Sequence, residues 1–165
     1  MKRSSVGHLP CSIARALDIV GEWWTPLILR DVFMGLRRFE EIQGDLGIAR
    51  NILSDRLSTL VERGVLEKHR YQESPDRYEY RLTDMGVDFY PVLAALMRWG
   101  DRWLADDDGP PVLLRHEACG HDTELRFTCS HCGQDLTARE LRAFQGPGSG
   151  ADSPFPTLAE PAPPG

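Results

Sequence analysis

Two short amphipathic stretches joined by a tight glycine turn, followed at once by a change of hydrophobic period from helical to alternating, restrict this chain more than any other feature. Phe39, Ile42 and Leu46 mark a short helix, Gly47 breaks it, and a new helix begins within three residues. That helix is expected over 50–63, with Leu53, Leu57 and Leu60 on one stripe and Gly64 at its end. From Val65 the period becomes two, Gln72 to Asp76 supply turn residues, and Tyr78 to Leu82 continue the alternation. A helix pair with a glycine turn, closed by a β-hairpin, is a helix-turn-helix with a wing.

The flanking segments fit the same frame. Ile13, Ala16, Leu17 and Val20 place a first helix over 12–21, ended by glycine. Thr25 before Pro26 reads as a helix start, since threonine can cap and the missing proline N–H is harmless in the first turn, so a second helix is expected to about Phe33. Thr83 is expected to cap a long helix carrying Phe89, Val92, Leu93, Leu96, Trp99 and Trp103, kinked at Pro91. That apolar stripe is wider than one small core can absorb, which points to a partner subunit. The fold class expected is therefore mainly α with a small β-hairpin wing, a winged helix-turn-helix, plus a short C-terminal Cys/His unit of β-ribbon type. The divisions expected are an arm over 1–10, the winged domain over 11–104, a linker over 105–111 rich in Asp, Pro and Gly, the Cys/His unit over 112–145, and a disordered Pro/Gly-rich tail over 146–165.

A net charge of −6 argues against a nucleic-acid partner only as an average. Residues 1–104 hold 15 Lys plus Arg against 15 Asp plus Glu, whereas 105–165 hold 4 against 10, so the acidic excess lies in the tail. With Leu53 and Leu57 facing inward and about 100° between residues, Asn51, Ser54, Asp55 and Ser58 face outward, flanked by Arg50 and Arg56. Short hydrogen-bonding side chains beside an arginine suit base edges in a major groove of double-stranded DNA. Arg77 and Arg81 on the hairpin, with Lys68 and Arg70 opposite, and Arg37 and Arg38 ahead of the third helix, are phosphate or minor-groove candidates; Glu67, Glu73 and Glu79, and Glu40 and Glu41, are their competing partners. No Ser/His/Asp arrangement or phosphate-binding glycine loop is visible, so no enzyme is expected. No apolar run is long enough to span a membrane and the first residues lack a secretory signal, which reads as a cytoplasmic chain without a membrane partner.

Cys11 to Ala14, Asp18 to Gly21 and Trp24 to Asp31 resemble the N-terminal signature of the HxlR family. The likeness continues through Arg37-Arg38-Phe39, Gly47-Ile48, Asn51 to Leu57, Gly64-Val65, Tyr78 to Tyr80, Leu82-Thr83, Gly86, Pro91 to Leu93 and Trp99-Gly100, covering the chain from Cys11 to Trp103. The resemblance implies a MarR-like transcription regulator, a homodimer built from its first and last helices and bound to a pseudo-palindromic operator, with a small-molecule or oxidant effector open. It also implies a role for Cys11, whose counterpart in several relatives senses oxidants; a buried helical thiol is the other reading. Ala49 departs from the serine that relatives often place before the reading helix and cannot accept a capping bond. A different class of function, a winged helix turned to protein–protein contact with the Cys/His unit as docking module, differs from DNA binding in its salt response.

His116-Glu117-Ala118-Cys119-Gly120 and Cys129-Ser130-His131-Cys132-Gly133 share one form: a ligand, two residues, a cysteine, a glycine. His116, Cys119, Cys129 and Cys132 can complete a tetrahedral site for one structural zinc ion, joined by a strand over 123–128. His121 or His131 can replace His116, and a Cys129–Cys132 disulfide or a metal-free hairpin are the alternatives.

Overall fold

The computed structural model describes residues 5–149. The expectation of a disordered tail lies, from residue 150 onward, outside the described residues, as do the first four residues of the arm.

The chain runs α1 (Ser12–Val20), α2 (Trp24–Phe33), α3 (Phe39–Leu46), α4 (Arg50–Glu62), β1 (Leu66–Glu73), β2 (Asp76–Leu82), α5 (Asp84–Val87), α6 (Tyr90–Leu104), β3 (Leu114–His116) and β4 (His121–Thr123). This is a winged helix-turn-helix, mainly α with a small antiparallel hairpin. Ile28, Leu29 and Val32 of α2, Ile42 of α3, Leu53, Leu57 and Leu60 of α4, and Val65 and Leu66 at the hairpin base form one buried cluster. The helical stripes in the sequence are thus the inward faces of three helices that meet at one point. Gly47 closes α3 at φ +60° and Gly64 follows α4 at φ +72°, left-handed conformations in which a Cβ is strained.

Two helix boundaries differ from the sequence reading. Thr25 is not a cap: α2 begins at Trp24, Trp23 is already helical, and Thr25 is 2% exposed within the first turn. The long helix expected from Thr83 is two helices. Pro91 cannot donate to the Val87 carbonyl and its ring crowds that turn, so the chain breaks at Asp88 and Phe89, and Pro91 sits in the first turn of α6 instead of at a kink. Thr83 does cap, but the short α5: its Oγ1 accepts from the Gly86 amide at 3.2 Å and donates to the Gly64 carbonyl at 2.6 Å.

The wing pairs Leu66 with Leu82 through Glu73 with Asp76, with an irregularity between Arg70 and Gln72. It has a third contributor that the sequence did not reveal. Arg38 bridges to Glu79 in antiparallel fashion, and the Tyr80 amide donates to the Arg37 carbonyl at 2.7 Å, tying the wing to the start of α3.

After α6, β3 and β4 form a small hairpin with His116 opposite His121. A second turn is closed by the Thr128–Asp135 bridge and by the Leu136 amide donating to Phe127 at 2.8 Å. The strand expected over 123–128 does not form. The chain leaves one hairpin at Thr123 and enters the other at Thr128, so 124–127 has no strand to pair with, and Leu125 is half-buried instead.

Candidate nucleic-acid interface

The helix-turn-helix presents a polar surface whose parts are held from behind. Asn51, Ser54, Asp55 and Ser58 are exposed on α4, opposite the buried Leu53, Leu57 and Leu60. Ala49, the N-cap residue, makes no side-chain cap bond to the first amides of α4. Arg50 lies with its guanidinium 4.7 Å from the centre of the Phe39 ring, which holds it at the α3–α4 junction.

Arg56 is placed differently from its neighbours. It is half-buried and faces Glu22 at 3.9 Å, as Arg63 faces Asp18 at 3.9 Å. Both pairs tie α4 to α1 or the turn after it, so Arg56 positions the helix from behind and is not part of the outward row. Glu22 and Asp18 escaped sequence reasoning because their partners lie over thirty residues away, beyond any local pattern.

Arg37 and Arg38 are exposed, and their backbone amides donate to Glu41 Oε2 at 3.0 and 2.9 Å. Glu41 thereby holds the first turn of α3, as an acid three residues past an N-cap does. Arg38 also stacks 4.6 Å from the centre of the Tyr71 ring on the wing. On the hairpin, Lys68 lies 4.1 Å from the Tyr78 ring centre and Arg77 is exposed. Arg70 pairs with Asp76 and donates to the Glu73 carbonyl at 3.2 Å, while Arg81 pairs with Glu79 on its own strand. The hydrogen bond from Arg81, with Arg37 and Arg38 nearby, holds the Glu79 carboxyl below its ordinary range. Tyr71 and Tyr78 as platforms, and Glu79 as the centre of an arginine cluster, were legible only once the register was known.

Away from this face, Cys11 is free and exposed, at the N-cap of α1. The amide of Val6 donates to Asp18 Oδ1 at 3.1 Å, so the end of the arm folds onto α1, and the bond from Ser5 holds the Asp18 carboxyl low. Of the Cys/His residues, the structure brings His116 Nδ1 to 3.3 Å from Cys119 Sγ and sets Cys132 beside Cys129. The amides of Cys132 and His131 aim at the Cys129 sulfur and lower its pKa. Among the described residues no three His, Cys, Asp or Glu side chains are gathered closely enough to hold a metal ion, so the two pairs stand apart. All four cysteines are free thiols, and the Cys129–Cys132 disulfide is not formed.

Fold and surface together define a DNA-binding regulator of the winged helix-turn-helix class. Residues 19–108 match the HxlR-like helix-turn-helix family, and the chain belongs to it. An uncharacterized HTH-type transcriptional regulator of Mycobacterium tuberculosis is 47% identical over 137 residues, spanning 83% of this chain and 87% of that protein. Another from Synechocystis is 35% identical, over 67% of this chain and 82% of its own length. Among solved structures, the candidate transcription factor PA1607 superimposes with a TM-score of 0.77 at 38% identity, covering 87% of this chain and all of that one. The redox regulator HypR in its oxidized form gives 0.54 at 25% identity over 58% of this chain and all of its own. The protein is a transcriptional regulator and not an enzyme. No helix among the described residues is long and apolar enough to cross a membrane.

Proposed function

We propose that the protein acts as a homodimer on a pseudo-palindromic operator, with α4 of each subunit in a major groove and the wing against the adjacent backbone. The observation that carries the dimer is an uncovered apolar stripe. Val92, Leu96, Trp99 and Trp103 recur at helical spacing along α6, and the last two are 58% and 64% exposed. Ile13 and Leu17 on α1 add a second exposed row, Ile13 at 71%. Apolar area of this kind in water favours a second copy by roughly 25 cal/mol per Å² buried. Arg50, Asn51, Ser54, Asp55 and Ser58 supply base-edge contacts, whereas Arg37, Arg38, Lys68, Arg70, Arg77 and Arg81 supply phosphate or minor-groove contacts.

Selection of bound sites from random duplex DNA, with sedimentation of the free protein, tests this reading. The expected result is a dimer and an inverted repeat with half-sites about 34 to 36 Å apart or a multiple of it. A monomer, or a dimer that binds no duplex at low salt, overturns it; a dimer whose partner affinity is insensitive to salt favours the protein-docking alternative.

A second reading concerns regulation. Cys11 is a free, exposed thiol at the N-cap of α1, and the structurally similar HypR is a redox regulator. We propose Cys11 as an oxidant-sensing thiol. Cys11→Ser then abolishes oxidant-induced release from DNA; an unchanged response rejects the assignment.

A further inference from the structure

The segment after α6 has hairpins without a core. From residue 105 to 149 no residue is fully buried: Leu113, Phe127 and Leu141 are each more than half exposed, and Leu114, Leu125 and Leu136 are only half-buried. Units of fewer than about 40 residues rarely fold on apolar burial alone and use disulfides, metals or assembly. Disulfides are absent here, since the cysteines are free.

The two Cys/His turns are built alike. In the first, the His116 carbonyl accepts from the Gly120 amide at 2.8 Å and Gly120 has φ +70°. In the second, the Cys129 carbonyl accepts from the Gly133 amide at 2.9 Å and Gly133 has φ +74°. Each turn therefore spans five residues, with its first and fourth side chains beside each other and a left-handed glycine in fifth place returning the chain. The 3.3 Å between His116 Nδ1 and Cys119 Sγ approaches the separation of roughly 3.6 Å between neighbouring ligand atoms in a tetrahedron with bonds of about 2.0 to 2.3 Å. In the second turn the amides of His131 and Cys132 point at the Cys129 sulfur, and the Cys132 side chain lies beside it.

We propose that the two turns are halves of one structural zinc-class site, with His116, Cys119, Cys129 and Cys132 as ligands, closed by bringing the hairpin tips together about residues 124–127. That connecting stretch carries no strand or helix, and its ties are the exposed ion pairs of Glu124 with Arg98 and of Arg126 with Asp135, which closure has to rearrange. Of the alternative histidines, His121 Nδ1 is 2.7 Å from the Cys119 carbonyl, a bond within the first turn, and His131 lies inside the second turn, where its amide serves Cys129. Closure converts three thiols to thiolates and releases their protons to solvent; the neutral imidazole is the fourth donor. Four protein ligands leave no open position, so the metal has a folding role and no catalytic one.

The full-length protein, expressed without added zinc, is assayed for bound metal, and the chelator-stripped protein is titrated with cobalt(II). Expected are about one zinc per chain and tetrahedral cobalt bands with thiolate charge transfer. Cys119→Ser, Cys129→Ser and His116→Ala lose binding, whereas His121→Ala keeps it. In nuclear magnetic resonance spectra, chelation shifts or broadens signals from 112–145 while those of α2 to α4 stay in place. Folded protein that carries no zinc, gives no tetrahedral cobalt spectrum and leaves every thiol freely reactive overturns the proposal, as does a Cys129–Cys132 disulfide in the isolated protein. Full metal binding by His116→Ala overturns the ligand set. Each outcome is independent of whether the protein binds DNA.

Discussion

In the winged domain, side chains from α2, α3, α4 and the base of the hairpin converge until Ile28, Leu29, Ile42, Leu53 and Leu57 have no exposed surface; in the segment after α6, turns of comparable regularity enclose nothing. Apolar burial specifies the first region, and hydrogen bonds inside each turn specify the second. A leucine should therefore matter in one and hardly in the other. Leu57→Ala is expected to cost about 2 to 5 kcal/mol in denaturant unfolding, from lost transfer energy and the cavity left behind. Leu136→Ala, at a half-exposed site, should cost about 1 kcal/mol or less. Similar losses at both positions would break the comparison.

The second-largest effect sharpens how the core is sealed. A Cβ on Gly86 would lie 2.3 Å from the Val65 carbonyl oxygen and 2.9 Å from Leu82 Cδ2, because α5 docks directly against the hairpin base. Backbone has nowhere to yield, so Gly86→Ala should destabilise by about 1 to 3 kcal/mol. Glycines on the other side of the comparison have space: a Cβ on Gly120 meets nothing within 4 Å, and only its φ opposes substitution. A thermal shift for Gly86→Ala no larger than for a surface change would contradict this docking.

Binding should divide along the interface as stability divides between regions. Arg50→Ala and Asn51→Ala are expected to cost about 1 to 3 kcal/mol at particular base pairs, while Lys68→Ala weakens all sequences alike and lowers the salt slope by about 1. Titrations of matched and single-mismatch operators at several salt concentrations read both. Equal losses on every sequence for all three variants would move the reading surface away from α4.

What could be read from the sequence follows this same division. The helix pair, its glycine turn and the wing were legible because local periodicity and burial agree there: Leu53, Leu57 and Leu60 are apolar at helical spacing and do face the core. Legibility stopped where position depends on contacts between distant segments. Arg56 reads as flanking the outward face until Glu22 is seen behind it, and Arg38 reads as a phosphate candidate competing with Glu40 and Glu41, its contacts with the wing edge and Tyr71 being out of view. Pro91 signalled an interruption correctly, but whether a proline kinks one helix or starts another depends on whether the preceding carbonyls find other donors. The Cys/His turns were legible one at a time, because each is closed by its own hydrogen bonds, and their mutual arrangement was not.

The smallest expected effect sets two carboxylates against each other, each beside an arginine. Asp31 is fully buried in α2, and although Arg30 donates to it at 2.9 and 2.6 Å, burial dominates and raises its pKa. Glu79 on the wing is lowered by the bond from Arg81. The signs of their linkage to folding are opposite. Asp31 carries a folding cost that is relieved as pH falls through its raised value and is gone below the ordinary carboxylate value of about 4. Glu79 stabilises above that ordinary value and loses its contribution as pH falls through its depressed one. Relative to wild type, Asp31→Asn should therefore gain stability as pH rises through the acid range and then level off, while Glu79→Gln should lose it over a lower window. Denaturant midpoints at half-unit pH steps distinguish the two curves, and curves of the same sign would mean that Arg30 outweighs burial at Asp31.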